Sequence, residues 1–341
     1  MRLGTGIERF IDHDVREPWA RTFEWCMRME ELGFEFGSVG HHSFTEGFFS
    51  AAPFTFLGAI AARTSRLKLA TGVFLLPLHH PVAVAEQLAT LDQLSCGRAI
   101  FGVGVGYRDY EYDGFGVARR ERGKRADEAL QIIRGGFETH RYDFAGEYFS
   151  LRDLPVDPLP VQRPHPPMWI GGSSDGALRR AARYGDGWMT DNMLPLSHIR
   201  ERVDTYRGLC REAGREPGTI VLLRNAWVAG TRDEVERDWL PSVIDFHMSY
   251  RRAGVELPDT DGIYTRLDKG ERVGLAEFAR ERGIAGTPED CIEQIRRWES
   301  EAGVDRIYLM LTGPADYAAR MRALELFGSE VVPNVAFDER T

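Results

Sequence analysis

The chain has 341 residues, 43% of them apolar, a formal net charge of −9 and a mean hydropathy of −0.33. Those values fit a globular protein with one large core, and an acidic balance without a basic block argues against nucleic acid as a partner. No apolar run approaches the roughly 20 residues that cross a bilayer, and four scattered cysteines (Cys26, Cys96, Cys210, Cys291) match neither a disulfide framework nor a zinc site. The opening MRLGTGIERF lacks the apolar stretch of a secretion signal, so a cytoplasmic location is expected.

In chain order, Arg2 to Ile7 reads as a first strand with glycines at Gly4 and Gly6. Trp19 to Leu32 carries apolar residues at helical spacing, and Gly33 follows in the position of a C-terminal cap. A second strand, Phe34 to Val39, ends at His41 and His42. Leu67 to Thr71 is a third strand, which runs through Gly72 into the apolar Val73 to Leu76 and stops at Pro77. Pro81 stands where a first helical turn accepts it, Val82 to Leu94 keeps helical periodicity, and Ala99 to Val103 is a fourth, buried strand. A helix over Arg125 to His140 precedes a Pro-rich connection, Tyr142 to Gln162, with hairpin-like pieces. Strands at Met168–Ile170, Gly187–Met189, Ile220–Val228 and Arg306–Leu309 then alternate with helices over Ala177–Tyr184, His198–Glu212 and Pro288–Ala302.

Eight strands alternating with helices predict an α/β fold, a closed (β/α)8 TIM barrel whose functional face lies at the carboxyl ends of the strands. Residues 1–341 are expected to form a single domain. The largest insertion is expected after strand seven, as a charged, lid-like segment from Ile244 to Arg280 containing Pro258 and Gly262.

The strand ends hold the residues with chemistry. Gly171-Gly172-Ser173-Ser174 leaves a strand and opens a helix, where backbone N–H groups and the positive helix end suit a phosphate. The same residues suit an ordinary tight turn. Gly102, Gly104 and Gly106 miss the GxGxxG spacing of a dinucleotide site, so they more simply clear room for a flat ring or permit a bulge, with Tyr107 at the barrel mouth. Adjacent His41 and His42 point to opposite faces of a strand, which argues against a metal pair, and no HxH or clustered carboxylates offer another metal site. A histidine in that place is either structural or an acid–base group.

TGVFLLPLHHP followed by AEQLATLDQLSCGRAIFGVGVGY resembles the core signature of the bacterial-luciferase-like flavin oxidoreductases. MEELGFEFGSVGHHSF, PMWIGGSSDGALRRAARYGDGWM, RGIAGTPEDCIEQIRRWESEAGVDRIYLML and MRALELFGSEVVPNV agree with the same family in the same order. The resemblance implies a cofactor phosphate at Gly171, Gly172 and Ser173 with Arg125 turned toward it. It implies a ring wall at Thr71, Gly72 and Val73 with a cis Gly72–Val73 peptide, and Gly104 and Tyr107 beside the ring. His41 matches the family's histidine at the flavin's reactive edge, where a near-neutral pKa would suit proton transfer. The acidic residue that usually precedes it is here Gly40, which removes an orienting partner. His42, Trp188 and Asp191 are expected on the substrate side, and His79 and His80 as structural.

The implied activity is a two-component monooxygenase that uses reduced FMN from a separate flavin reductase, with O2, on a small organic substrate. The alternative is hydride transfer with the deazaflavin F420, although Tyr107 stands where some F420 sugar-phosphate dehydrogenases have a glutamate. A non-catalytic flavin-binding barrel is a third reading, favoured by Gly40. A homodimer through the early barrel helices is implied as well.

Overall fold

The computed structural model describes residues 1–8, 10, 16–45, 51–252, 255–314 and 316–335. Eight parallel strands close a barrel: β1 (Arg2–Gly6), β2 (Phe36–Val39), β3 (Lys68–Thr71), β4 (Ala99–Gly104), β5 (Met168–Gly171), β6 (Gly187–Met189), β7 (Thr219–Val228) and β8 (Arg306–Leu311). Each strand pairs with its neighbour in chain order, and β8 returns to β1 with Arg306 opposite Arg2. The expected TIM barrel is therefore present, with strand limits moved by one or two residues.

Alternating side chains fill the barrel, as a period of two requires. Phe36, Ala70, Ile100, Trp169, Met189, Val221 and Tyr308 come from β2 to β8 and form one buried cluster. β1 contributes Gly4 in their place, because a Cβ there would stand 2.5 Å from the Phe36 ring. At the amino ends of the strands, Glu35 accepts from Lys68 at 2.9 Å and from Arg306 at 2.8 Å, joining β2, β3 and β8.

The outer helices bury one face on this barrel. In Pro288–Ala302 the buried residues are Cys291, Ile295, Trp298 and Ala302, spaced by three or four positions. Thr287 starts the same helix with a capping box and Pro288 takes its first turn. The Pro-rich connection contains the expected hairpin, Arg141–Ala145 against Ser150–Pro155. A helix over Pro53–Ala61 was not predicted: its PFTFLGAIA sequence lacks the polar face that periodicity needs.

The connection from β7 to β8 contains the segment 244–280 expected as a lid-like insertion. Helices run there over Arg232–Asp238, Leu240–Arg252, Ile263–Asp268 and Leu275–Arg282. A further strand, Gly283–Gly286, then pairs with the outer end of β7, from Asn225 to Val228, outside the ring.

Gly102 of β4 carries a packing requirement that can be measured. A Cβ on Gly102 would stand 1.8 Å from the Thr71 carbonyl oxygen, a backbone atom fixed by β3. Gly102→Ala should therefore cost about 3 kcal/mol, as overpacking does. Urea unfolding measures it, and a midpoint equal to that of the unmodified protein would mean that β3 moves aside freely.

Candidate active site

A cavity of about 560 Å³ opens at the carboxyl ends of the strands, a size usual for small-molecule sites. Gly6, Ile7 and Glu8 leave β1 into it, Gly40 to His42 leave β2, and Gly104 to Arg108 leave β4. Phe246 and Tyr250, from the helix Leu240–Arg252, roof it.

Of the residues singled out in the sequence, His41, His42, Gly72, Val73, Gly104, Tyr107, Gly171, Gly172 and Asp191 line this one cavity. Thr71, Arg125, Ser173 and Trp188 do not. Thr71 is buried and its hydroxyl donates to the Gly102 carbonyl at 2.7 Å, so it braces the wall from behind. Arg125 lies over the Tyr148 and Phe149 rings and donates to the Pro77 carbonyl at 3.2 Å. Trp188 is fully buried, and its indole N–H donates to the Gly172 carbonyl at 2.7 Å. Its place is thus behind the Gly172 turn instead of on the substrate side.

One wall is bare backbone. The Gly72–Val73 peptide is cis, as the resemblance implied. Val73 presses against β4 and β5: a Cβ on Gly104 would meet its Cγ2 at 2.4 Å, and a Cβ on Gly171 its Cγ1 at 2.6 Å. At the next turn Gly172 has φ +114°, a conformation that side chains resist. Ser174 caps the helix Asp175–Tyr184 by accepting from the Ala177 N–H. The hydroxyl of Ser173 is buried without a partner in the same turn, and a buried polar atom left so is uncommon unless something else binds it.

The histidines depart from expectation. Nδ1 of His41 accepts from the Leu75 N–H at 3.1 Å, which leaves the ring neutral with its proton on Nε2. That bond orients the ring without the carboxylate missing at Gly40. Packed against Phe74 and His79, and 1% exposed, the ring has its pKa pushed down to about 3 by burial first, then by His79 and His42. The near-neutral value expected for it is corrected: desolvation disfavours the cation. His42 instead meets a carboxylate, Glu111 Oε1, 3.1 Å from its Nδ1.

Several cavity residues escaped the sequence reading. Glu8 and Arg320 form an ion pair on the cavity lining. The Tyr107 hydroxyl donates to that of Tyr250 at 3.3 Å, joining the mouth to the roof. Behind the roof, His247 contacts Tyr264 at 2.7 Å and Asn225 at 3.0 Å. Apart from Tyr107, none of these stands in a short motif, since each depends on contacts between distant segments. Among the described residues no three metal-ligating side chains come together, and no helix is long and apolar enough to cross a membrane.

The fold is a barrel with one cavity at the carboxyl ends of its strands, and residues 2–306 match the luciferase-like monooxygenase family, to which the chain belongs. It is 28% identical over 333 residues to 4-hydroxyprotoasukamycin monooxygenase of Streptomyces nodosus subsp. asukaensis, covering 92% of this chain and 86% of that one. It is also 28% identical over 322 residues to the FMNH(2)-dependent dimethylsulfone monooxygenase of Pseudomonas putida, covering 90% and 85%. Among solved structures, the monooxygenase RslO1 of Streptomyces bottropensis superposes with a TM-score of 0.82 at 24% identity, over 98% of this chain and 100% of that one. The F420-dependent tetrahydromethanopterin reductase of Methanopyrus kandleri gives 0.75 at 21%, again over 98% and 100%. At those identities the two structures establish the shared fold alone.

The buried histidines make stability depend on pH. His41 and His247 both have folded pKa values near 3, against 6.5 when exposed. Between those limits the unfolded chain takes up protons that the folded chain refuses, so stability falls as pH falls. Each histidine should remove about 1.4 kcal/mol per pH unit in that window. Urea midpoints that match at about pH 7 and about pH 5 would contradict this.

Proposed function

We propose that this chain is a flavin-dependent oxidoreductase, a monooxygenase that takes reduced FMN from a separate reductase and uses O2 on a small organic substrate. The observation that carries the reading is the pairing of two features at one cavity. One is the side-chain-free wall where Val73 packs on Gly104 and Gly171, and the other is the adjoining turn with the orphaned Ser173 hydroxyl at a helix start. The first suits a flat ring and the second a phosphate. The relatives named as monooxygenases, one of them FMNH(2)-dependent, support the same reading.

When bound, reduced flavin supplies the electrons and the reactivity toward O2. The chain supplies position and exclusion. Ser173 Oγ and the helix start at Asp175 would hold the phosphate, with Gly172 bent out of its way and Trp188 bracing the turn. Val73 would back the ring. His41, held by Leu75, offers Nε2–H as a fixed donor, an atom with no partner of its own. Ile7, Leu223, Met310, Phe246 and Tyr250 line the rest and keep water from the reacting centre. A cytoplasmic location and a homodimer belong to the same proposal. The groove between the helices Pro53–Ala61 and Pro81–Leu94, where Leu94 is 63% exposed, would offer the face for the second copy.

Anaerobic titration with oxidised and reduced FMN and with oxidised and reduced F420 tests the cofactor. Preferential micromolar binding of reduced FMN is expected, and preference for F420 would replace oxygenation with hydride transfer. Ser173→Asp should weaken binding of reduced FMN at least tenfold, about 1.4 kcal/mol, by setting a charge against the phosphate. An unchanged dissociation constant would place the phosphate elsewhere.

A further inference from the structure

Two histidines end β2, and their surroundings give them different chemistry. His41 uses Nδ1 to accept from Leu75 and stays neutral far below physiological pH, so it is a poor proton carrier. His42 lines the cavity with its Nδ1 on Glu111. Glu111 belongs to the helix Asp109–Phe115, which follows the glycines at the end of β4, and its side chain is fully buried. The same oxygen, Oε1, accepts the Ser43 N–H at 2.8 Å.

The Ser43 bond alone would tie the end of β2 to this helix, and a neutral amide would serve as well. The chain instead buries a carboxyl group whose second oxygen, Oε2, has no partner. Burying such a group costs free energy unless the charge is compensated. An imidazole that becomes cationic beside it would compensate it. With Glu111 ionised it only accepts, so Nδ1 of His42 carries the proton and Nε2 the lone pair. This is the arrangement of a base oriented by a third group.

We propose that Glu111 and His42 form a carboxylate–imidazole dyad in which Nε2 of His42 is the general base for a substrate bearing an acidic hydroxyl, a phenol or an enol. The inference rests on the flavoenzyme reading above, with the substrate lying beside the ring. In the step, the substrate O–H bond breaks and its electron pair stays on oxygen. The proton moves to Nε2, and an imidazolium forms next to ionised Glu111. No other reactant is needed. The product is an electron-rich phenolate or enolate, the form of such a substrate most open to oxygen transfer at the neighbouring carbon.

The surroundings match that class. Arg108 lines the same cavity and brings positive charge toward the new oxyanion. Phe246, Tyr250 and Leu223 offer apolar surface for the rest of an aromatic molecule. Among the described residues, the charged or titratable groups facing His42 are Glu111 and Arg108, Tyr107 edge-on at 6.2 Å, and His41 on its own strand end. Burial first and then Arg108 hold the His42 pKa below its ordinary value, while Glu111 opposes them. A weak base of that kind is matched to acidic hydroxyls, not to ordinary alcohols.

The test uses the whole chain with 15N-labelled histidine, without cofactor, followed by NMR through a pH titration. His42 should show the Nδ1–H form, and Glu111→Gln, which keeps the Ser43 bond, should lower its pKa and mix the two tautomers. 4-Nitrophenol serves as the probe. Bound to the unmodified protein it should show raised phenolate absorbance, which Glu111→Gln and His42→Gln both lose. In turnover of a phenolic substrate, Glu111→Gln should lower kcat on the order of 100-fold and shift the acidic limb of the pH profile to lower pH. An Nε2–H tautomer in the unmodified protein, an unchanged titration in Glu111→Gln, or no phenolate signal would each overturn the proposal. Titration of the same samples with reduced FMN keeps the two readings apart. Loss of flavin binding in the unmodified protein defeats the flavoenzyme reading, while the NMR result still decides the dyad.

Discussion

Everything at the cavity depends on how closely the end of β3 lies on β4 and β5. The Thr71 carbonyl occupies the space that a Cβ on Gly102 would need, and Val73 fills the space beside Gly104 and Gly171. Three side chains are forgone so that one stretch of backbone can form a flat wall. Close packing leaves little slack for compensation, because protein interiors are about as dense as organic crystals. The wall in turn fixes what stands around it: the His41 ring is aimed by the Leu75 N–H just beyond, and the Gly172 turn is braced by Trp188 from the next strand.

The barrel was legible in the sequence because its signals are local. Periods of two and 3.6, prolines in first helical turns and glycines past helix ends all act within a few residues. The cis Gly72–Val73 bond was legible from the resemblance, whereas the sequence reading did not show that Gly102 and Gly104 make room for the Thr71 carbonyl and Val73. The helix Pro53–Ala61 was hidden by having apolar residues on nearly every face, and the strand Gly283–Gly286 by being four small residues whose pairing depends on β7. Glu111, Glu8 and Arg320 stand in no recognisable pattern in a chain that is rich in charge. Only the fold brings Glu111 under His42, or Arg320 across to Glu8. The protonation of His41 was misjudged for a related reason, since burial against Phe74 and His79 sets it and sequence spacing does not.

The roof is held differently from the wall. Met193, Leu257 and Tyr264 form a small cluster apart from the main core, with Phe246, Met248 and Tyr250 packed on it. Its other ties are of both kinds: Leu240, Val243, Ile263 and Phe278 pack into the main core, His247 bonds Asn225 of β7, and Arg282, buried over the Tyr264 ring, pairs with Asp261. The polar bonds are directional and add one fixed arrangement to what apolar burial already holds.

The strand Gly283–Gly286 returns the chain to β7, the strand from which the roof departs. Departure and return therefore share one anchor, and the helix Pro288–Ala302 resumes the barrel as though nothing had intervened. A segment attached in this way behaves as a cassette. Its two ends lie side by side on β7, so the eight-stranded ring is closed beneath it. The part of the cavity lining that it supplies, Phe246 and Tyr250, thus comes from one excursion of the chain, and the rest from the strand ends.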